Sequence, residues 1–274
     1  MSMKEFLQGY KDREIIYVPN PGNAGDSMIA YGTFQVFDSM NLNWRIVKRE
    51  KHNDCYYWPR FKDKLLFYGG GGNLVGGLYG ACKNFLLSNK GRNEIVVLPH
   101  TVANEDSFIK GLDKNVKIIC REEISYKYVR ELMSHKENAL LSDDMALHIK
   151  GIEEYKNKEG EGILNCFRKA KDKEASGIKI PADNVDVSSR LKFKSWEHDQ
   201  KSPQDDVDIM KQVSLSVFDY LSRFSVINTN RAHMAIGGSL LNREVNMFSN
   251  SYYKNRAIYD YSLKGNYPNT RYES

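Results

Sequence analysis

"EIIYVPNPGNAGDSMIAYGTFQVF", residues 14–37, joins a β-branched apolar run to a polar, glycine-marked turn and then to apolar residues at helical spacing. Ile29, Thr33, Val36 or Phe37, and Met40 recur at intervals of three and four, which predicts one buried helix face. Strand, turn, helix in this order is the unit from which parallel sheets are built, because parallel neighbours need a crossover connection. The same grammar returns in "KLLFY" before "GGGGN", "EIVVL" before "PHT", "VKIIC" before "REE" and "ALL" before "SDD". After the fourth run, Ile124, Tyr128 and Leu132 keep the helical interval. Each polar junction then falls at the carboxyl end of a strand, the edge where open α/β sheets bind ligands.

The chain has 274 residues, which at roughly 100–200 residues per domain favours two modest domains. "IKGIEEYKNKEGEG", residues 149–162, is charged and glycine-marked, so the boundary is expected there: domain one over 1–155, domain two over 156–274. "ILNCF" restarts the strand grammar, the stretch around Pro203 reads as an exposed loop, and Ile209, Val213, Val217, Tyr220 or Leu221 and Phe224 stripe a helix. A strand at "SVIN", another near "EVNMF" and a helix around "NRAIYDYSLK" follow, and the last ten residues read as a tail. The expected class is α/β, two Rossmann-like halves facing a cleft.

The composition, 41% apolar and 27% charged, is that of a globular protein and not of a disordered one. No run of about 18 apolar residues exists, and the start lacks a secretion-signal core, so a cytoplasmic protein is expected. Cys55, Cys82, Cys120 and Cys166 form no C-x-x-C pair, which predicts reduced thiols. The formal charge is +5, but Lys and Arg are mixed with acids, as in "KAKDKEA", which argues against nucleic-acid binding. A mildly basic surface is compatible with contact to anionic lipids or metabolites.

Several constellations can carry chemistry. In "GNAGD", Gly22 and Gly25 allow a tight turn, Asn23 sits between them, and Asp26 either caps the following helix or faces a ligand. The spacing falls short of the dinucleotide fingerprint. In "YGGGGNLVGGLYG", glycines at this density, with Gly70, Gly71 and Asn73 at their centre, predict either close approach to a ligand or a mobile loop. Arg121 stands at a strand end, and His100 follows Pro99, with a packing role as open as a functional one. Asp143 and Asp144 diverge as neighbours, so one is expected to cap a helix. No metal-ligand spacing and no nucleophile elbow are present.

The second half is the most informative. "CFRK" sets Arg168 at a strand end, "NTNRAHMAIGG" sets Asn230, Arg231 and His233 at another, and Lys254 follows the next. Guanidinium forks suit carboxylate or phosphate, and a histidine on the same helix start exchanges protons near neutral pH. Together these residues predict a pocket for a small, highly charged anion.

In order and spacing, "GNAGDSMIAYG", "YGGGGNL", "CREEIS", "SDDMAL", "NTNRAHMAIGG" and "SYYKNR" resemble the motifs of the polysaccharide pyruvyl transferases. The resemblance runs over most of the chain. It implies a GT-B-like fold and transfer of a pyruvyl group from phosphoenolpyruvate onto a sugar hydroxyl pair, forming a cyclic ketal in capsular or other cell-surface polysaccharide. It implies Arg231 and His233 as the donor-site pair, Arg168 as a further donor ligand and Lys254 as a supporting cation. No cofactor beyond the donor substrate is implied, and the acceptor is a sugar, lipid-linked in some cases, with peripheral contact at the inner membrane face. Ala232 and Met234 stand where the family usually has leucine and glycine. Two alternatives are a GT-B glycosyltransferase using a nucleotide sugar and a non-catalytic carbohydrate-binding relative. Tyr56, Tyr57, Trp58 and Trp196 can stack on a sugar or pack in loops.

Overall fold

The computed structural model describes residues 2–20, 22–47, 50–52, 55–57, 59–169, 172–174, 177–191 and 203–273. The chain forms two compact units. One comprises Met1–Pro21, Thr33–Met145 and Lys194–Val207; the other comprises Gly22–Gly32, Ala146–Phe193 and Asp208–Ser274. Gly22–Gly32, expected with the first half, is grouped with the second unit, and of the five crossings between units the one expected near residue 155 falls at Met145/Ala146.

In chain order the first elements are α1 (Met3–Gln8), β1 (Ile15–Val18), α2 (Ala24–Ser39), β2 (Trp44–Ile46), β3 (Glu50–His52), β4 (Cys55–Tyr57) and β5 (Leu65–Tyr68). Then come β6 (Gly71–Val75), α3 (Ala81–Asn89), β7 (Glu94–Ala103), α4 (Asp106–Lys110), β8 (Val116–Cys120), α5 (Glu123–Leu132) and β9 (Ala139–Leu141). Seven strands make one parallel sheet in the order β2-β1-β5-β7-β8-β9, with β6 also on β7. β3 and β4 pair as a separate antiparallel ribbon.

All four residues of β1 and of β5 are buried, as expected for strands of a parallel sheet covered on both faces. The later part of α2 packs on β1 through Phe34 and Phe37, each edge-to-face with Tyr17 at centroid distances of 5.7 and 5.8 Å.

Two expectations for this unit are corrected. The glycine run is not a loop throughout: Gly71–Val75 is strand β6, pairing with β7 from Gly71↔His100 to Val75↔Ala103. The flanking glycines are required by the fold itself. A Cβ on Gly69 would lie 2.6 Å from the Asn20 backbone nitrogen, and one on Gly76 would lie 2.0 Å from the Asn104 carbonyl oxygen. Secondly, β7 does not stop at Leu98 but runs through Pro99 to Ala103. Pro99 has no N–H to give the ladder, and the pairing with β8 shifts register between Val97 and His100 to pass it.

The second unit contains α6 (Glu153–Lys156), β10 (Ile163–Cys166), α7 (Val187–Arg190), α8 (Pro203–Ser222), β11 (Val226–Thr229), α9 (Ala232–Leu240), β12 (Glu244–Phe248), α10 (Lys254–Ile258) and β13 (Thr270–Glu273). Its four strands are parallel and in sequence order, β10-β11-β12-β13. Successive right-handed crossovers in one direction place their helices on one face. The expected C-terminal tail is thus corrected: Thr270–Glu273 is the edge strand, registered on Val245–Phe248. Its polar sequence hid it, but Thr270 is buried and its hydroxyl meets Ser239 at 2.7 Å.

α9 is buried along nearly its whole length, as its all-round apolar sequence requires. Gly238 faces the sheet, where a Cβ would lie 2.8 Å from both Ile227 and Val245 side chains. Gly237 faces the other way, onto Leu221 of α8 and Met28 of α2. On the opposite face of the sheet, Asn246 donates to Asn228 at 2.8 Å, Asn228 to Asn165 at 3.0 Å, and Asn165 to Asp183 at 3.0 Å.

Cys82, Cys120 and Cys166 are buried free thiols, and burial pushes the Cys166 thiol up to about 12. The side chains of Cys55, Tyr56, Tyr57, Trp58 and Trp196 lie outside the described residues.

Candidate functional site

In the second unit, the carboxyl ends of β10, β11 and β12 deliver Arg168, Arg231 and Lys254, which are 8%, 4% and 5% exposed. The backbone that holds them is stapled by short polar side chains. Thr229 donates to the Cys166 carbonyl at 2.6 Å and accepts from the Arg231 amide at 2.9 Å. Asn230 accepts the Arg168 amide at 2.8 Å, while its carbonyl receives Asn255 at 2.8 Å. Asn230 therefore ties two strand ends and the start of α10 together.

Three acids answer the three cations. Arg231 donates through Nε to Asp186 at 3.0 Å and through a terminal nitrogen to the other oxygen of the same carboxylate. Arg168 gives one terminal nitrogen to both oxygens of Asp172 at 3.0 Å and the other to Glu174 at 2.9 Å. Lys254 donates to Glu174, which also accepts from Asn250 at 3.2 Å. Arg231 reaches Asp172 as well, at 3.4 Å. Burial opposes the charge on Glu174, but Lys254 and then Arg168 outweigh it and hold the carboxyl down to about 2.

His233 sits in the first turn of α9, half-buried, two residues after Arg231. Against its ring lies the "GNAGD" turn of the same unit. A Cβ on Gly25 would be 2.3 Å from His233 Nδ1, so only glycine allows the ring this position. The turn is braced by a reciprocal cap: Asn23 accepts the Gly25 amide at 2.8 Å, and Asp26 accepts the Asn23 amide at 2.8 Å. Ser188 of α7 donates to the same Asn23 oxygen at 2.5 Å. Asp26 thus caps its helix, and the turn that carries it adjoins His233.

The remaining sequence-selected residues lie in the first unit. Asn73, buried on β6, donates its amide to His100 Nε2 at 3.1 Å and its side-chain nitrogen to Tyr68 at 3.0 Å and to Asn20. Full burial, then Arg121, drive the His100 imidazole down to about 3, so the ring is neutral and accepts from Asn73. Gly70 and Gly71 are buried beside it, Gly71 with a φ of 138°. Arg121 is committed within the unit: Nε to Thr101 at 2.8 Å and a terminal nitrogen to Asp144 at 2.8 Å, with both side chains at most 2% exposed. Asp144 is therefore the partner of Arg121, and Glu122 caps α5 by accepting the Ser125 amide at 2.9 Å.

Sequence reasoning missed Asp172, Glu174, Asp186 and Asn250. The first two lie in "KAKDKEA", whose mixed charge gave no sign of long-range partners.

A buried triad of cations beside a histidine on a helix start, with a glycine turn packed on the ring, is where comparison with known proteins becomes informative. The family model described as "Polysaccharide pyruvyl transferase" matches residues 23–252, a span that includes all of these groups except Gly22 and Lys254. A Bacillus subtilis (strain 168) protein that carries the name pyruvyl transferase EpsO is 24% identical over 304 residues, covering 99% of this chain and 93% of its own. A crystal structure of a functionally uncharacterised protein from Klebsiella pneumoniae subsp. pneumoniae NTUH-K2044 superposes with a TM-score of 0.80 at 30% identity, covering 99% of this chain and 96% of that one. By the extent of the family match and the motifs it spans, the chain belongs to the polysaccharide pyruvyl transferase family.

Proposed function

We propose that the chain transfers a pyruvyl group from phosphoenolpyruvate to two hydroxyls of a sugar, forming a cyclic ketal in capsular or other cell-surface polysaccharide. The observation that carries this reading is the juxtaposition of Arg231, Arg168 and Lys254 at three adjacent strand ends with His233 in the first turn of α9. Phosphoenolpyruvate bears a carboxylate and a phosphate on three carbons, so its site calls for several cations in fixed geometry. His233 donates a proton to the methylene carbon, leaving an oxocarbenium-like centre at C2. One sugar hydroxyl adds there, its proton passing to the Asp26 carboxylate. The neighbouring hydroxyl then closes the ring as the C2–O bond to phosphate breaks, and its proton leaves on inorganic phosphate. Arg231 and Arg168 hold the donor anion and stabilise the departing phosphate. Lys254 supports them. Asn23 and Asp26 adjoin His233 and are proposed to orient the acceptor hydroxyl.

The two units are proposed to be the Rossmann-like domains of a GT-B-like enzyme. In the first, Gly70, Gly71 and Asn73 belong to the network at the carboxyl ends of the central strands, which we assign to the acceptor side, and Arg121, closed off with Asp144, braces it from within. The enzyme is proposed to be cytoplasmic and to meet a sugar acceptor, lipid-linked in some cases, at the inner membrane face. Among the described residues, no helix is long and apolar enough to cross a membrane.

The test is a thermal unfolding series with phosphoenolpyruvate set against UDP-, GDP- and CMP-sugars. A ligand at about 100 times its dissociation constant adds roughly 2.7 kcal/mol. A rise with phosphoenolpyruvate, lost in Arg231→Ala, is expected; a rise only with a nucleotide sugar would replace this reading by the glycosyltransferase one. Turnover by His233→Ala should fall by about 10²–10⁴.

A further inference from the structure

Among the described residues the three cations face three acids, so the pairs they form are balanced and a multiply charged donor must displace a carboxylate to reach them. The acids are not equivalent. Glu174 and Asp186 side chains are 3% and 4% exposed, while Asp172 is 20% exposed. Asp186 also caps α7, accepting the Ser189 amide at 3.3 Å, which anchors it to the scaffold. Glu174 is gripped by Lys254, Arg168 and Asn250. Among the described residues, Asp172 is the acid shared between the two arginines, accepting from Arg168 at 3.0 Å and from Arg231 at 3.4 Å.

We propose that the Asp172 carboxylate occupies the seat of the donor's phosphate and is exchanged for it when the donor binds. This rests on the donor-site reading above. Glu174 and Asp186 then act as positioning residues: they neutralise part of the cation charge and aim Lys254, Arg168 and Arg231 at the seat. The ligand class is a compact tetrahedral dianion on a small carboxylic acid. With Asp172 displaced, the three cations face two acids among the described residues; the Arg168 nitrogen that held Asp172 turns to an incoming phosphate oxygen, while the Arg231 nitrogen that reached it stays bonded to Asp186 and to the Ser189 hydroxyl at 3.0 Å and lends the seat its charge. The arrangement also favours a dianion over a monocarboxylate, because a ligand with one charge only replaces the bond that Asp172 already makes.

The experiment is calorimetric titration of inorganic phosphate and of phosphoenolpyruvate into the full chain and into Asp172→Asn, Asp172→Glu, Glu174→Gln and Asp186→Asn, each first checked for cooperative unfolding. Asp172→Asn should bind both anions at least fivefold more tightly than the wild type. Asp172→Glu, which keeps the charge, should not. Glu174→Gln and Asp186→Asn should gain less than Asp172→Asn or lose affinity. If the wild type binds phosphoenolpyruvate and Asp172→Asn binds it no better, the exchange is refuted and the donor site stands. Equal gains in all three charge-removing variants would also refute it, because general charge relief then explains them. If neither anion binds any of these proteins, the donor-site reading falls and the exchange falls with it.

Discussion

Arg121 and Arg231 are buried arginines placed alike, each at the carboxyl end of a parallel strand where a helix begins, yet their surroundings differ in kind. Arg121 meets one acid, Asp144, and one hydroxyl, Thr101, and that pair is closed off from water. Arg231 belongs to a network of three cations and three acids, one of which is open to solvent. A single, fully enclosed ion pair is a structural tie, because removing either partner strands a charge in low dielectric. A shared network with one accessible member can exchange that member for a ligand. Residue type and position along the strand are the same; the number and exposure of the counter-charges separate the two roles.

Acid should distinguish the two regions most strongly. His100, in the first unit's network, is lowered from its ordinary value of 6.5 to about 3 in the folded chain. The unfolded chain therefore binds the extra proton first, so this stability is complete above pH 6.5 and drains as pH falls toward 3. The full loss is about 4–5 kcal/mol. Glu174, in the second, is held at about 2 against an ordinary 4.5, so its contribution is complete above pH 4.5 and is lost as pH falls from there through 2, a lower window than that of His100. Urea titrations at pH 7, 5 and 3.5 should show a steep decline in the wild type that is flattened in His100→Gln and retained in Glu174→Gln. A decline unaffected by His100→Gln would break the assignment.

Removing one partner at a time sharpens the comparison next. Arg121→Met leaves Asp144 buried without its cation and should cost about 3–5 kcal/mol, while Arg121→Met with Asp144→Leu should recover most of it. Denaturant midpoints for the four members of this cycle test the claim. An Arg121→Met variant of wild-type stability would mean that the pair is not the tie described.

A smaller effect is expected at the turn beside His233. Gly25→Ala forces a methyl into the imidazole ring and should cost about 1–3 kcal/mol through overpacking. Turnover should fall with it, because the ring must move. Normal phosphate release from phosphoenolpyruvate by Gly25→Ala would show that the contact does not set the position of His233.

The runs "EIIYV", "KLLFY" and "VKIIC" became central strands because β-branched and aromatic residues buried on both faces leave few other options. The stripes of α2 and α8 and the placement of Arg168, Arg231 and Lys254 at strand ends were legible for the same reason, local periodicity, but the stripe expected on α5 was not: Ile124 is 46% exposed, and the buried face carries Ser125 and Val129. Strand β6 was hidden by its glycines, the continuation of β7 by Pro99, and β13 by polar residues, since each is held by neighbours distant in sequence. The motif order pointed to the family on its own.

What sequence alone determined, then, is the alternation of strands and helices and the set of cations and histidine delivered to one sheet edge, because both follow from local pattern. Only the tertiary structure decided which charges are already answered. Arg231 meets an acid 45 residues away, Lys254 one 80 residues away, and Gly25 meets the ring of a residue in the other half of the chain. Such pairings depend on how separate elements pack, and no local spacing encodes them.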